Sequence, residues 1–498
     1  MTALMVLYAV VLGLIVVALL TVSLARLGKV KTKADYLVAG RSLPAFVLVF
    51  TLLSSWIGSG SLLGGAENAY KHGFAALWQA AGGWAGLALI YFIAPRARKF
   101  AQFTIPDLLE SRYNQTARVL GVIAVLFTYT AITSYQFIGG GDIIHLIFPS
   151  VGALTGRYIL AGFVIVFTAI AGMGSVAYMD VVIGMLATIT LIVALPVLIH
   201  LAGGWSAVQA ALPATHFQLL GDLHPFSSYT RTLADGSSQR VDSALAIFLP
   251  TCLLMLGNQS MYQKFFSAKS EKDATRATVG WIIGTVILES VIVAVAVVGS
   301  AIFHSGEVAE RPREVLAYSA THAFVGTPAL ALLGALLVGA IFAKVVSTAN
   351  NYLFSPATNL VNDIFVRYIR PEASNGQVLL VSRLMVVLLG IWALVQSIAV
   401  TSVLEKSLEA YTIYSAALTP VILAAFFWRR ATAAGAVASI AAGTVITLSW
   451  SSISHLFPAA LAQQDAIVPA LVASLIGLFV VSLLTPAPDA KKLAPFTT

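Results

Sequence analysis

Apolar residues along this chain gather into long, nearly unbroken runs, set apart by short polar connections in which arginine and lysine recur. A run of about 20 residues wound as a helix crosses ~30 Å of hydrocarbon. Counting such runs predicts thirteen membrane-spanning helices, at about 3–24, 45–70, 74–95, 115–145, 155–172, 175–201, 242–262, 276–303, 325–360, 377–400, 403–427, 433–452 and 466–485. The longest connection, 202–241, is polar and is predicted to form an external surface loop without a domain of its own. The first run lacks a basic stretch ahead of it, so it is expected to be a retained span and not a cleaved signal peptide.

Composition agrees with the pattern and narrows it. The chain is 59% hydrophobic and only 10% charged, where a soluble protein carries about 25% charged residues. Of the 29 Lys and Arg, 21 fall on the side that becomes cytoplasmic if the N-terminus lies outside and the C-terminus inside, and 7 on the other. That bias follows the positive-inside rule, so the net charge of +8 is a topology signal and no footprint for nucleic acid. The single cysteine, Cys252, excludes a disulfide framework and a thiolate metal cluster. With this orientation, spans two to six and seven to eleven form two five-helix units of opposite sense, the inverted-repeat plan of many secondary transporters. The expected divisions are 1–44 (an extra helix and a cytoplasmic loop), 45–201 (first repeat), 202–241 (external loop), 242–427 (second repeat) and 428–498 (two peripheral helices and a tail).

Against this apolar background a few residues stand out. In "SSWIGSGSLLGGAENAY" (54–70), Gly58, Gly60, Gly64 and Gly65 crowd one span. Each glycine weakens a helix by about 1 kcal/mol. The segment therefore suits either a break whose freed carbonyls bind a cation, or close helix packing. Lys344 is the one remaining basic residue and is placed at membrane depth, with Ser347 and Thr348 one turn on along the same face. The two hydroxyls suit sodium ligation or back-bonding to their own helix. Asp180 and Glu289 are carboxylates at depth, with Glu67 and Asp142 nearer span ends. Such groups cost about 2.5–3.5 kcal/mol and mark ion pathways unless they pair with a cation such as Lys344. Trp56, Trp78, Trp84 and Tyr135 are either interfacial belt aromatics or, for Trp56 among the glycines, a ring face for a cationic solute.

Four segments, in order, resemble the sodium/solute symporter family over about 35–430. They are "DYLVAGRSLP" (35–44), "GMGSVAYMDVV" (172–182), "VVSTANNYLFSPATNLVNDIF" (345–365) and "LTPVILAAFFWRRATAAGAVAS" (418–439). The resemblance implies an all-α, LeuT-like fold with a 5+5 inverted-repeat core and Na+-coupled symport of a small polar organic solute. It implies a sodium site formed by the carbonyls of Ser54, Ile57 and residue 344 with the hydroxyls of Ser347 and Thr348. It further implies a second site, used by some members, at Asp180 with Asn350 and Asn351. The pocket residues of sugar-carrying relatives fall on Ser61, Ala80, Gly83 and Thr285 here, with Asn258 kept, which disfavours a sugar. The first core helices look closest to choline-transporting members, sharing Trp56, Gly58, Gly60, Glu67, Tyr70 and Trp78, although a further aromatic of those members falls on Asn258. A choline- or betaine-like amine or an amino acid is thus expected near Trp56, Ser61, Trp78, Tyr135, Asn258, Tyr262 and Thr285.

Lys344 departs from the family, whose members usually carry a small residue there. Three placements compete: snorkelling to the inner interface, entry of the ammonium into the sodium site, or an ion pair with Asp180 or Glu289. The second would make the carrier proton-coupled or uncoupled. The rival class, an integral-membrane enzyme, is disfavoured because the eight histidines are scattered and none forms a metal-ligand spacing. The expected partners are a small-molecule solute and membrane lipid, with no nucleic acid; a monomer is compatible with the sequence.

Overall fold

In hydrocarbon a backbone must satisfy its own hydrogen bonds, and helices do so within one segment. The computed structural model describes residues 3–27, 32–100, 104–170, 173–232, 238–400 and 402–496. Lys29 and Lys31, counted above as cytoplasmic charges, and Gly172 of the second motif lie outside these residues. Twelve described stretches are long and apolar enough to cross a membrane, and Ala45–Trp56 is a shorter apolar helix.

The main helices are α1 (Ala3–Leu27), α2 (Ala45–Trp56), α3 (Gly65–His72), α4 (Leu77–Ile90), α5 (Gln115–Ile147), α6 (Ala153–Ile170), α7 (Met173–Leu201), α8 (Ala244–Gly257) and α9 (Gln259–Ser267). They continue as α10 (Glu271–Ile302), α11 (Pro328–Asn359), α12 (Asn375–Ile398), α13 (Val403–Ala417), α14 (Thr419–Phe427), α15 (Ala433–Ile453) and α16 (Ile467–Leu484). Apolar side chains such as Leu14, Val17, Leu384, Leu388 and Leu483 remain exposed, as a lipid-facing surface requires. The 202–241 connection carries more structure than its composition suggests: a helix at Trp205–Ala211 and a two-stranded antiparallel hairpin, Tyr229–Thr232 with Ser238–Val241.

The glycine-rich span is broken. After α2 the chain turns extended at Ile57 (φ −83°, ψ 95°) and re-enters helix through the Gly60–Gly64 turn and α3. Gly73, at φ +60°, then leads into α4. Glycine is required at 58, since a Cβ there would stand 2.5 Å from Thr348 Oγ1 on α11. A second break was not foreseen. The expected 242–262 span divides into α8 and α9 at Asn258 (φ −58°, ψ 111°), whose side chain caps α9 by accepting from Ser260 N. The first span of each repeat is therefore discontinuous. α11 packs against α1, α5 and α7, and α7 lies against α2, so the breaks face the long central helix.

Candidate functional site

Two polar clusters sit inside the apolar core. The first joins the end of α2 to α11 and α7. Thr348 Oγ1 donates to the carbonyl of Ser54 at 2.8 Å and reaches that of Ile57 at 3.4 Å. Ser347 Oγ donates to Asp180 Oδ1, and Thr51 Oγ1 donates to Asp180 Oδ2 at 2.5 Å. Helix spacing puts Ser347 and Thr348 on the face that meets the break, and the break leaves two α2 carbonyls free for them. The result is a knot of hard oxygens around one carboxylate, all of it buried.

Lys344 enters this knot. Its Nζ donates to Ser54 Oγ at 3.1 Å, and the side chain is 1% exposed. Snorkelling to the interface is thereby corrected, because the amine turns inward to the end of α2. Its link to Asp180 runs through Ser54, whose hydroxyl donates to the Asp180 carbonyl at 3.3 Å. Lys344 is not the only basic residue at depth. Lys264, counted from sequence among cytoplasmic charges, is fully buried on α9 and donates to Asn351 Oδ1 at 2.8 Å. Asn351 in turn presents its amide nitrogen to Asp180 Oδ2 at 3.4 Å. Asn350 points elsewhere: its Oδ1 accepts from Thr168 Oγ1 at 2.7 Å. Of the residues expected at the second ion site, Asp180 and Asn351 come together and Asn350 stays outside.

The second cluster surrounds Glu289 on α10. Trp56 Nε1 donates to Glu289 Oε1 at 2.8 Å, Ser61 Oγ to the same oxygen at 3.3 Å, and Trp84 Nε1 to Oε2 at 2.9 Å. Trp56 stacks on Tyr411 with ring centroids 6.2 Å apart, and Tyr135 Oη donates to Tyr411 Oη at 3.3 Å. Gly60 admits this pair, since a Cβ there would meet Tyr411 Oη at 2.5 Å. Thr285, one turn before Glu289, is buried with an unpartnered hydroxyl. Trp56, Ser61, Glu289 and Tyr411 line a narrow cleft of about 20 Å³, room for about one water, so a solute enters only as the helices part. Glu289 does not pair with Lys344; its oxygens are taken by the two indoles and a hydroxyl.

Other expected pocket residues lie apart. Trp78 donates to the carbonyl of Leu219 in the 202–241 connection at 2.9 Å and packs edge-on against Phe248. Tyr262 donates to the Leu256 carbonyl at 2.9 Å and stacks on Phe426. Asn258 is fully engaged at the α8–α9 break, accepting from Tyr129 Oη at 2.8 Å and donating to Tyr352 Oη at 2.7 Å. Sequence reasoning missed Lys264 and Tyr411, and took Trp84 only as a belt aromatic. Tyr411 carried a signal in the Tyr411–Tyr414 pair, two phenols one turn apart inside an apolar span. The lesser carboxylates are held structurally, Asp142 by Arg313 at 2.7 Å and Glu67 by Lys71 at 2.9 Å.

The description of the sodium:solute symporter family matches residues 36–443. The osmoregulated proline transporter OpuE of Bacillus subtilis is 24% identical over 493 residues, covering 96% of this chain and 94% of its own. The high-affinity proline transporter PutP of the same organism is 25% identical, covering 91% and 93%. A sodium/proline symporter of Staphylococcus aureus is 26% identical, covering 92% and 88%. Among solved structures, a substrate-bound, outward-open Na+-coupled sialic acid symporter superposes with a TM-score of 0.79 at 16% identity, over 97% of this chain and 99% of that one. The nucleobase-cation symporter Mhp1 follows at 0.56 and 11% identity, over 94% and 99%. These likenesses fix a LeuT-like inverted-repeat core, and with the twelve apolar spans they make this a multi-pass membrane transporter and no enzyme. The chain belongs to the sodium:solute symporter family.

Proposed function

We propose that this chain carries a small amino acid of the proline type by alternating access, in symport with a sodium ion held where α2 meets α11. The observation that carries the reading is the Thr348 hydroxyl lying across both free carbonyls of the broken α2, beside Ser347 on Asp180. Carbonyl and hydroxyl oxygens are the donors a hard monovalent cation takes. Ser54 O, Ile57 O, Ser347 Oγ and Thr348 Oγ1 would hold the ion, and Asp180 would compensate its charge. Ion bound there ties α2 to α11, and α2 also carries Trp56 of the Glu289 cleft, so the two sites share one moving element. The relatives named for proline favour an amino acid over the choline end of the expectation, and the charge bias supports an N-terminus outside.

A second reading rests on Lys344. Its ammonium already touches Ser54 beside the oxygen knot, where it could stand for sodium and make the carrier proton-coupled or uncoupled. Uptake of labelled L-proline into proteoliposomes, with sodium and proton gradients imposed separately, tests both. The first reading expects accumulation that follows the sodium gradient. Accumulation that ignores sodium and follows the proton gradient would replace it with the second, and absence of proline uptake under either gradient would remove proline as substrate.

A further inference from the structure

Glu289 is a carboxylate in the membrane interior, 5% exposed, and its three partners, Trp56, Trp84 and Ser61, are all neutral. Among the described residues no lysine, arginine or histidine stands within 4.0 Å of it. Burying a carboxylate without a counter-charge is costly even when its oxygens accept hydrogen bonds. The missing positive charge has a place to come from, because Glu289 lines the cleft together with the stacked rings of Trp56 and Tyr411. Aromatic faces attract cations, most strongly when desolvated. A carboxylate that lines one cleft with two aromatic rings has the makings of a receptor for an organic ammonium group. The Thr285 hydroxyl, buried and unpartnered one turn earlier on α10, is a further polar group next to it.

We propose that Glu289 anchors the ammonium group of the transported solute, so that the carrier selects amine-bearing molecules, whether zwitterionic or cationic, and rejects carboxylates that lack an amine. The inference rests on the reading of the chain as a solute carrier but not on proline being the solute. It separates the two ends of the chain's polar core by task, with Asp180 serving the inorganic cation and Glu289 the organic one. From sequence Glu289 is only a carboxylate at membrane depth; the fold gives it this setting by bringing α2, α4, α10 and α13 together around it.

The test is ligand-induced thermal stabilisation of the purified full chain in sodium, with L-proline, pyrrolidine, betaine, choline and amine-free cyclopentanecarboxylate as probes. Wild type is expected to respond to at least one amine and not to cyclopentanecarboxylate. Glu289→Gln is expected to weaken that response by roughly 30-fold or more in ligand concentration, while its stabilisation by sodium alone persists, which shows that the variant is folded. Glu289→Asp keeps the charge and is expected to retain a weakened response. If choline or pyrrolidine binds through Glu289 and proline does not, the inference stands and the choice of proline falls. If proline and cyclopentanecarboxylate bind equally, or Glu289→Gln binds amines as wild type does, the anchor is overturned while an amino acid carrier survives. A wild type that answers to none of the amines overturns it as well.

Discussion

Two buried lysines converge on one acidic residue, Asp180, Lys344 through Ser54 and Lys264 through Asn351. On the proposed reading, a sodium ion in the neighbouring oxygen knot would be repelled by Lys344 and held by Asp180. Removing the amine in Lys344→Ala is therefore expected to raise apparent sodium affinity at least ~10-fold, since a unit charge about 4 Å away contributes about 4 kcal/mol at an effective dielectric of about 20. Loss of all transport with no gain in sodium affinity would instead favour the ammonium as the coupling charge. Ser347→Ala and Thr348→Ala are each expected to abolish the sodium dependence of uptake, because each removes an oxygen no neighbour replaces. A different residue reports on stability. Glu314, in the turn that precedes the short helix before α11, is half-enclosed; burial first, and then the Asp142 carboxylate, push its carboxyl up to about 7. Between its ordinary value near 4.5 and about 7 the folded chain holds a proton the unfolded chain has lost, so stability falls as pH rises through that window and levels off above it. Melting temperatures from pH 5 to 8 should show this slope, and Glu314→Gln should flatten it. At this scale the hydroxyl pair was legible because two adjacent Ser/Thr side chains in an apolar run are conspicuous. Lys264 was not, because a lysine two residues past the expected end of the 242–262 span looks like any loop charge until α9 buries it.

The discontinuous helices give those residues their positions. Gly58 is the tightest point, where backbone and Thr348 side chain meet with no room for a methyl group. Gly58→Ala is expected to displace Thr348, lowering sodium-dependent uptake at least ~10-fold through the lost geometry, and to cost about 1–3 kcal/mol of stability by overpacking. Gly82→Ala offers a contrast: its Cβ would press on the Phe248 carbonyl at 2.2 Å in the α4–α8 contact, so it should lower stability first. The break in α2 could be read from sequence because four glycines in eight residues oppose a helix. The matching break at Asn258 could not: "LLMLGNQSMYQ" holds a single glycine, and Asn258 leaves the helix through tertiary hydrogen bonds to Tyr129 and Tyr352. Topology alone implied that the repeats correspond, and it is the structure that shows both opening on a broken helix.

For the whole molecule, transport requires that one end close as the other opens. At the N-terminal end of α5, Arg118 is buried and binds Asp107, Glu110 and Asp363, while Thr104 Oγ1 donates to Asp363 at 2.9 Å. Arg367 extends the network to Glu110 at 2.8 Å. This clamp joins the helix at Ile105–Arg112 to the tail of α11, and the sequence showed Arg118 only as one more inward charge. Arg118→Ala is expected to loosen that end, speeding the labelling of a cysteine at Ser355 by a water-soluble thiol reagent in a Cys252→Ser background; unchanged labelling would make the clamp a static tie. The account as a whole depends on ion and solute stabilising the same arrangement of α2 against its neighbours, a coupling of typically 1–3 kcal/mol that must act in both directions. Its most direct test is the affinity of the purified chain for labelled L-proline measured across sodium concentrations, in wild type and in Thr348→Ala. Wild-type affinity should rise at least ~5-fold from zero to saturating sodium, and the rise should vanish in Thr348→Ala. Tight proline binding that is indifferent to sodium in the wild type would contradict the account.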